Sequence, residues 1–203
     1  MTSEATATAR AGAEPRPIRQ GPRLTGGPNR RFEIAPHNCF ACGQLNVNGM
    51  HLDLHTASGR CWTELSLPRR FEGWEGIAHG GIVVTILDEV MAWALVDHDL
   101  WGVTARMSVD FKRPVPIGVP IRAEGWVLAA RRRLVDTAAE IRDPSTGMVL
   151  ATAVGRYVAA SDDRKRALQA RYLVRLVDEE EGLPGGTVAP HREADPPDTG
   201  VSR

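Results

Sequence analysis

The sequence predicts an α+β fold in which one curved antiparallel β-sheet wraps around a long central α-helix. Three observations predict it. The stretch Ile82–Val96, IVVTILDEVMAWALV, is apolar on nearly every face and holds no Pro or Gly; its length marks a buried helix and not a strand. The pattern changes abruptly at His79-Gly80-Gly81, where that helix begins. Two strand-like segments precede it and four follow.

Residues 1–30 are dominated by Ala, Arg, Gly, Pro and Thr without an apolar period, too little to offset the entropy of ordering a backbone, and are expected to be a disordered tail. The folded domain is expected over 31–160. Within it, Met50–His55 and Cys61–Leu67 alternate apolar with polar around Ala57-Ser58-Gly59-Arg60, which reads as an antiparallel hairpin. Phe71–Ala78, FEGWEGIA, is a glycine-punctuated approach to the helix. After the helix come strands at Val103–Arg113, Val119–Ala130, Leu134–Arg142 and Val149–Ala159. Their connections are Pro114-Val115-Pro116-Ile117-Gly118, Arg131-Arg132-Arg133 and Asp143-Pro144-Ser145-Thr146-Gly147. A last helix is expected within 161–183, with Ala167, Leu168, Tyr172, Leu176 and Val177 on one face. Its charge order, DDRKR first and DEEE last, leaves acids at the end where the helix dipole disfavours them. Residues 184–203 return to Pro, Gly, Asp and Thr and read as a second tail. No fixed-period repeat runs through the chain.

Lys and Arg number 25, as do Asp and Glu, so no overall field favours nucleic acid or an anionic membrane as partner. No apolar run reaches the length of a membrane span, and the N-terminus lacks the apolar centre of a secretory signal; a cytoplasmic location is expected. Cys39, Cys42 and Cys61 are odd in number, which argues for thiols over a disulfide framework. Cys39 and Cys42 have the C-x-x-C spacing of a zinc knuckle or redox pair, but no second C-x-x-C or H-x-x-x-H completes four ligands. His37 and Cys61 could be recruited only at irregular spacing. The preferred reading is two small residues bracketing a turn, with no metal.

Four segments together resemble a hotdog-fold acyl-CoA thioesterase of the phenylacetyl-CoA (PaaI) type: CFACGQLNVNGMHL, FEGWEGIAHGGIVVTILDEVMAWAL, VTARMSVDFKRPVPIGVPI and GMVLATAVGRYVA. The resemblance runs from about Cys39 to Ala159. It rests on an ordered set: His, Gly-Gly, an Asp nine residues after the His, then T-A-x-x-x-V-x-F-x-R-P. It implies a strongly curved sheet around a long helix, a homodimer or dimer of dimers, and hydrolysis of acyl-CoA thioesters with no cofactor.

Thioester hydrolysis needs donors for the carbonyl oxygen and a carboxylate that activates water or attacks directly. Gly80 and Gly81 stand at the helix start, where amides lack intrahelical partners and the dipole is positive. Gly80 is the expected oxyanion donor and Gly81 a substrate contact; the alternative is a plain helix terminus whose glycines allow tight packing. Asp88 is an acid within an apolar helix, where burial is expected to raise its pKa. It is the expected catalytic carboxylate, against a structural role, capping a neighbouring loop or paired with Arg106 or Arg113. Glu89 lies about 100° around the helix and is the fallback. Gly80 and Asp88 are roughly 12 Å apart along the helix, so one site would draw them from two antiparallel chains.

By resemblance, His79 lines the site, Thr104 orients water toward the acid, and Asn46, Asn48 and Gly49 form a loop near substrate, although turn formation explains Asn and Gly equally well. Lys112, Arg113, Arg131 and Arg132, with Arg133 beside them, are candidates for the CoA phosphates; ordinary solvated surface is the alternative. Trp74, Trp93 and Trp101 could line an acyl pocket or fill a core. The rival function is a non-catalytic acyl-CoA binding module on the same fold.

Overall fold

The computed structural model describes residues 30–178, so most of the first expected tail and the whole of the second lie outside the described residues. The elements run β1 (Arg30–Glu33), β2 (His55–Ala57), β3 (Arg60–Ser66), a single 3₁₀ turn (Arg69–Phe71), β4 (Glu72–Trp74), β5 (Ile77–Ala78) and α1 (Gly80–Asp97). They continue β6 (Gly102–Phe111), β7 (Pro120–Arg131), β8 (Leu134–Arg142), β9 (Val149–Ala159), α2 (Asp162–Tyr172) and β10 (Arg175–Asp178). Eight strands form one antiparallel sheet in the order β10-β1-β2-β3-β7-β8-β9-β6, and β4 pairs with β5 as a small hairpin ahead of α1.

Helix α1 crosses the sheet face and packs on β3, β7, β8, β9 and β6. Val83, Ile86, Leu87, Val90, Met91, Ala94 and Leu95 are buried there, opposite Ile121, Ala123, Val135, Ala139, Ile141, Ala153 and Tyr157. Burying each large apolar side chain contributes about 1.5–3 kcal/mol before entropy is counted, which is why a helix this apolar has to be covered. The approach is close enough that a β-carbon on Gly125 of β7 would stand 2.6 Å from the Val90 carbonyl, so only glycine fits. No helix among the described residues is long and apolar enough to cross a membrane.

Two expectations need correction. Met50–Leu54 alternates as read, with Leu52 and Leu54 buried, but it is not a sheet strand, and His51 within it takes a left-handed φ of 54°. The amides of Met50 and Leu52 donate to the loop carbonyls of Phe40 and Ala41, so only His55–Ala57 pairs with β3, across a turn at Ser58-Gly59. The final helix stops at Tyr172, where Leu173 takes a left-handed conformation. Leu176 and Val177 then sit in β10, paired with Phe32 and Arg31 of β1. Shortened this way, α2 has Asp162 and Asp163 in its first turn and Arg171 in its last, the order its dipole favours.

Candidate active site

The β4–β5 hairpin delivers the chain to α1 with His79 as N-cap. The His79 Nδ1 accepts from the Gly81 amide at 3.0 Å, which leaves the neutral ring's proton on Nε2, free to donate outward. The amides of Ile82 and Val83 both reach the His79 carbonyl, at 2.9 and 3.2 Å. Gly80 is the exception: its N–H has no partner among the described residues, at the positive end of an 18-residue helix. Gly81, expected to contact substrate, has its amide committed to His79 instead.

Gly80 lines a cleft of about 350 Å³ with Ile77, Val83, Phe111, Lys112 and Arg113. The helix start and the first expected basic pair therefore share one wall. Lys112 also pairs with Asp110 at 3.3 Å. Arg131 and Arg132 stand elsewhere, exposed at the β7–β8 turn. Lys112 and Arg113 bond to Leu150 and Arg133 bonds to Ala159, at opposite ends of β9. Nine residue steps along the strand lie between these points, about 30 Å, so within one protomer the two basic groups cannot hold the same phosphate.

Asp88 projects from the middle of α1 toward β6 and β9. Its Oδ1 accepts from the Thr104 hydroxyl at 2.7 Å and from the Tyr157 hydroxyl at 2.6 Å, and Tyr157 also reaches the Asp88 carbonyl at 3.0 Å. Oδ2 has no partner among the described residues. The side chain is half-buried and not enclosed as expected, because Thr104 on edge strand β6 leaves it open on one flank. No ion pair joins Asp88 to Arg106 or Arg113 among the described residues; its structural partners are the Thr104 and Tyr157 hydroxyls. Burial, then the Asp88 charge, pushes the Tyr157 hydroxyl well above the ordinary tyrosine range, so it stays a donor at any working pH. Sequence reasoning missed Tyr157. The available signal was a tyrosine in the small apolar run of β9: a buried phenol needs an acceptor, and Asp88 was the acid left in need of a donor.

Glu89, the fallback acid, faces the other way and accepts from Trp93 Nε1 at 2.8 Å. Its pKa is raised to about 7, by burial first and by the charge at Cys39 second. Asn46, Asn48 and Gly49 build a turn: Asn46 Oδ1 accepts the Asn48 amide at 3.1 Å and the Asn46 carbonyl accepts the Gly49 amide at 2.8 Å. That loop reaches the helix start indirectly, through Phe40 edge-on to Phe71 and Arg70 donating to the Gly49 carbonyl at 3.3 Å, with the Phe71 carbonyl accepting the His79 amide. Trp74 is 83% exposed, and Trp93 and Trp101 pack with Phe32 and Tyr172, away from Asp88.

Comparison with known proteins bears on this geometry. The family model for the thioesterase superfamily matches residues 75–150, the stretch from the β4–β5 hairpin to the start of β9. An acyl-coenzyme A thioesterase of Xenopus laevis, THEM4, is 29% identical over 87 residues, which span 43% of this chain and 39% of that protein. The chain thus matches about two fifths of that relative's length. A solved thioesterase superfamily protein superposes with a TM-score of 0.57 at 27% identity, covering 60% of each chain. The PaaI protein of E. coli, from the phenylacetic acid degradation operon, superposes with a TM-score of 0.51 at 19% identity over 54% of this chain and 80% of its own, a likeness of fold.

Proposed function

We propose that this chain is an acyl-CoA thioesterase on a hotdog fold, a reading supported by the match of residues 75–150 to the thioesterase superfamily model and by the superposition on a solved protein of that superfamily. The observation that carries the reading is the division of labour along α1: a free amide at Gly80 and a carboxylate at Asp88 with one oxygen anchored and the other open. The thioester carbonyl oxygen would lie at Gly80 N–H, with His79 Nε2–H as second donor, so negative charge developing there meets fixed donors and the helix dipole. Asp88 Oδ2 takes the proton of an attacking water, whose oxygen adds to the carbonyl carbon; Thr104 keeps lone pairs free to hold that water. The tetrahedral intermediate collapses with loss of the C–S bond, and the CoA sulfur takes the proton back. Direct attack by Asp88, with hydrolysis of an acyl-enzyme anhydride, uses the same groups.

Gly80 and Asp88 are roughly 12 Å apart along one helix, which favours a site shared by two copies. What supports such a seam is β6, an edge strand with Val103 and Phe111 exposed at 71% and 56%. A long open edge of this kind is normally paired. Phe111 lies beside Gly80 and Thr104 beside Asp88. Two β6 edges paired antiparallel about Met107–Ser108 would set Thr104 of one copy opposite Phe111 of the other, and so Asp88 of one near Gly80 of the other. The same pairing would carry the Arg131–Arg133 turn of one copy toward Lys112–Arg113 of its mate, giving the CoA phosphates both basic groups. We place the protein in the cytoplasm, where its three free thiols stay reduced.

The test is thiol release from short, long, branched and aromatic acyl-CoAs by wild type and Asp88→Asn. Turnover lost in a folded variant supports the reading. Saturable acyl-CoA binding with no turnover on any substrate would replace it with a non-catalytic binding module.

A further inference from the structure

The mechanism leaves unused a second cluster on the opposite side of α1. The Sγ atoms of Cys39 and Cys42 and a carboxylate oxygen of Glu89 all lie within 4.8 Å of one another. We propose that these three side chains form a zinc site that pins the Cys39–Gly49 loop to α1.

Zn–S bonds of about 2.3 Å and Zn–O bonds of about 2.0–2.2 Å place tetrahedral ligand atoms roughly 3.5–3.8 Å apart, so the cluster, within 4.8 Å, needs a closure of no more than about 1.3 Å. The loop has the shape that such a site requires. Cys39 and Cys42 flank a tight turn closed by the Gly43 amide on the Cys39 carbonyl at 3.0 Å. A β-carbon on Gly43 would stand 2.4 Å from the Cys39 nitrogen and from the His37 carbonyl, so no other residue allows the turn.

The surrounding groups decide between a cation and a plain thiol pair. His37, 4% exposed, accepts the Cys39 amide on Nδ1 at 3.3 Å, which puts its ring proton on Nε2, 3.9 Å from the Cys42 sulfur. Trp93 Nε1–H holds Glu89 Oε1 at 2.8 Å and leaves the other oxygen for a metal. Each neighbour is thus an N–H donor facing an acid, the arrangement of outer groups that orients anionic ligands around a metal. No Lys or Arg forms an ion pair with Glu89 among the described residues. Two thiolates and one carboxylate suit a borderline-soft divalent ion, with water in the fourth position. Spacing in the sequence could not show this site, because its third ligand comes from the residue after Asp88 on α1. Cys61, fully buried in β3, stays outside the cluster.

The full chain, purified under reducing conditions and equilibrated with zinc, is passed through a desalting column and its metal and protein contents are measured. One zinc per protomer is expected, along with thiolate-to-cobalt charge-transfer bands and tetrahedral d–d bands when cobalt replaces zinc. Cys39→Ser with Cys42→Ser should abolish both. Glu89→Gln should weaken zinc binding at least tenfold, and Trp93→Phe about 10–100-fold, as loss of an outer-sphere donor does. Two freely titrating loop thiols with no cobalt bands in the folded wild type would overturn the proposal, as would a Cys39–Cys42 disulfide that persists in reductant. Because the readout is metal content and not turnover, failure here leaves the thioesterase reading standing.

Discussion

Replacing Gly80 by proline removes one N–H and, on three structural grounds, little else. The amide lacks a partner, so no hydrogen bond is lost from the helix. Gly80 opens α1, the position where proline's fixed φ suits the helix. His79, the residue before it, is already extended at φ −60° and ψ 135°, as a residue preceding proline must be. The nearest side-chain atom to a new β-carbon is Phe111 Cζ at 3.6 Å, an ordinary contact. Stability should therefore change by less than about 1 kcal/mol, in either direction. Removing one oxyanion donor costs about 10²–10³ in kcat, or about 2.7–4 kcal/mol of transition-state stabilisation. The assay compares kcat and KM of wild type, Gly80→Pro and Gly80→Ala on the best acyl-CoA, beside thermal melts of each. The alanine variant keeps the amide and should stay within about tenfold of wild type. A folded proline variant with wild-type kcat would refute the assignment of Gly80 as donor.

Three further outcomes follow from the geometry around Asp88 and Glu89. Tyr157→Phe should cost about 1.5–3 kcal/mol in wild type, where the acceptor is a carboxylate, but only about 0.5–1.5 in Asp88→Asn. Equal costs in urea unfolding of both backgrounds would show that the Tyr157 hydroxyl contributes through the Asp88 carbonyl and not through the carboxylate. In the chelated chain, Glu89 with its pKa near 7, against an ordinary 4.5, holds a proton that the unfolded chain releases. Its stabilising share is complete below about pH 4.5 and lost as pH rises through 7, so wild-type stability relative to Glu89→Gln should fall by roughly 3 kcal/mol over that range. A difference that is flat with pH would contradict the burial of that carboxyl. The Cys39 thiol, held near 5 chiefly by its hydrogen bond with Cys42, should alkylate at pH 6 in metal-free protein. Cys42 and Cys61, both pushed up, should stay unmodified in the peptide map.

The apolar helix and the four strands after it were legible because each is a long segment with one dominant pattern. Leu134–Arg142 and Val149–Ala159 fall where the alternation and turn residues place them. What was hidden depends on partners far along the chain. β1 has one buried apolar residue, Phe32, and exists through its pairing with β2 and β10. Met50–Leu54 has a strand's alternation, but its Met50 and Leu52 amides go to a loop, and alternation does not report the partner. At the site, sequence order could name Asp88 and Thr104 but not that Thr104 donates to the acid itself, nor that Tyr157 shares the same oxygen from β9. The basic residues show the converse: composition grouped Lys112, Arg113, Arg131 and Arg132 by charge, while the strands set the two pairs at opposite ends of β9.

The central claim, one site built from two copies of this chain, is tested most directly by mixing variants. Gly80→Pro and Asp88→Asn protomers are each expected to be inactive. Unfolded together and refolded in equal amounts, half of the dimers should be mixed, and in each of these one of the two sites joins an intact Gly80 to an intact Asp88. Recovery of about one quarter of wild-type kcat, with mixed dimers seen by native mass spectrometry, is the predicted result. A mixture that contains mixed dimers but is no more active than either parent would contradict the shared site.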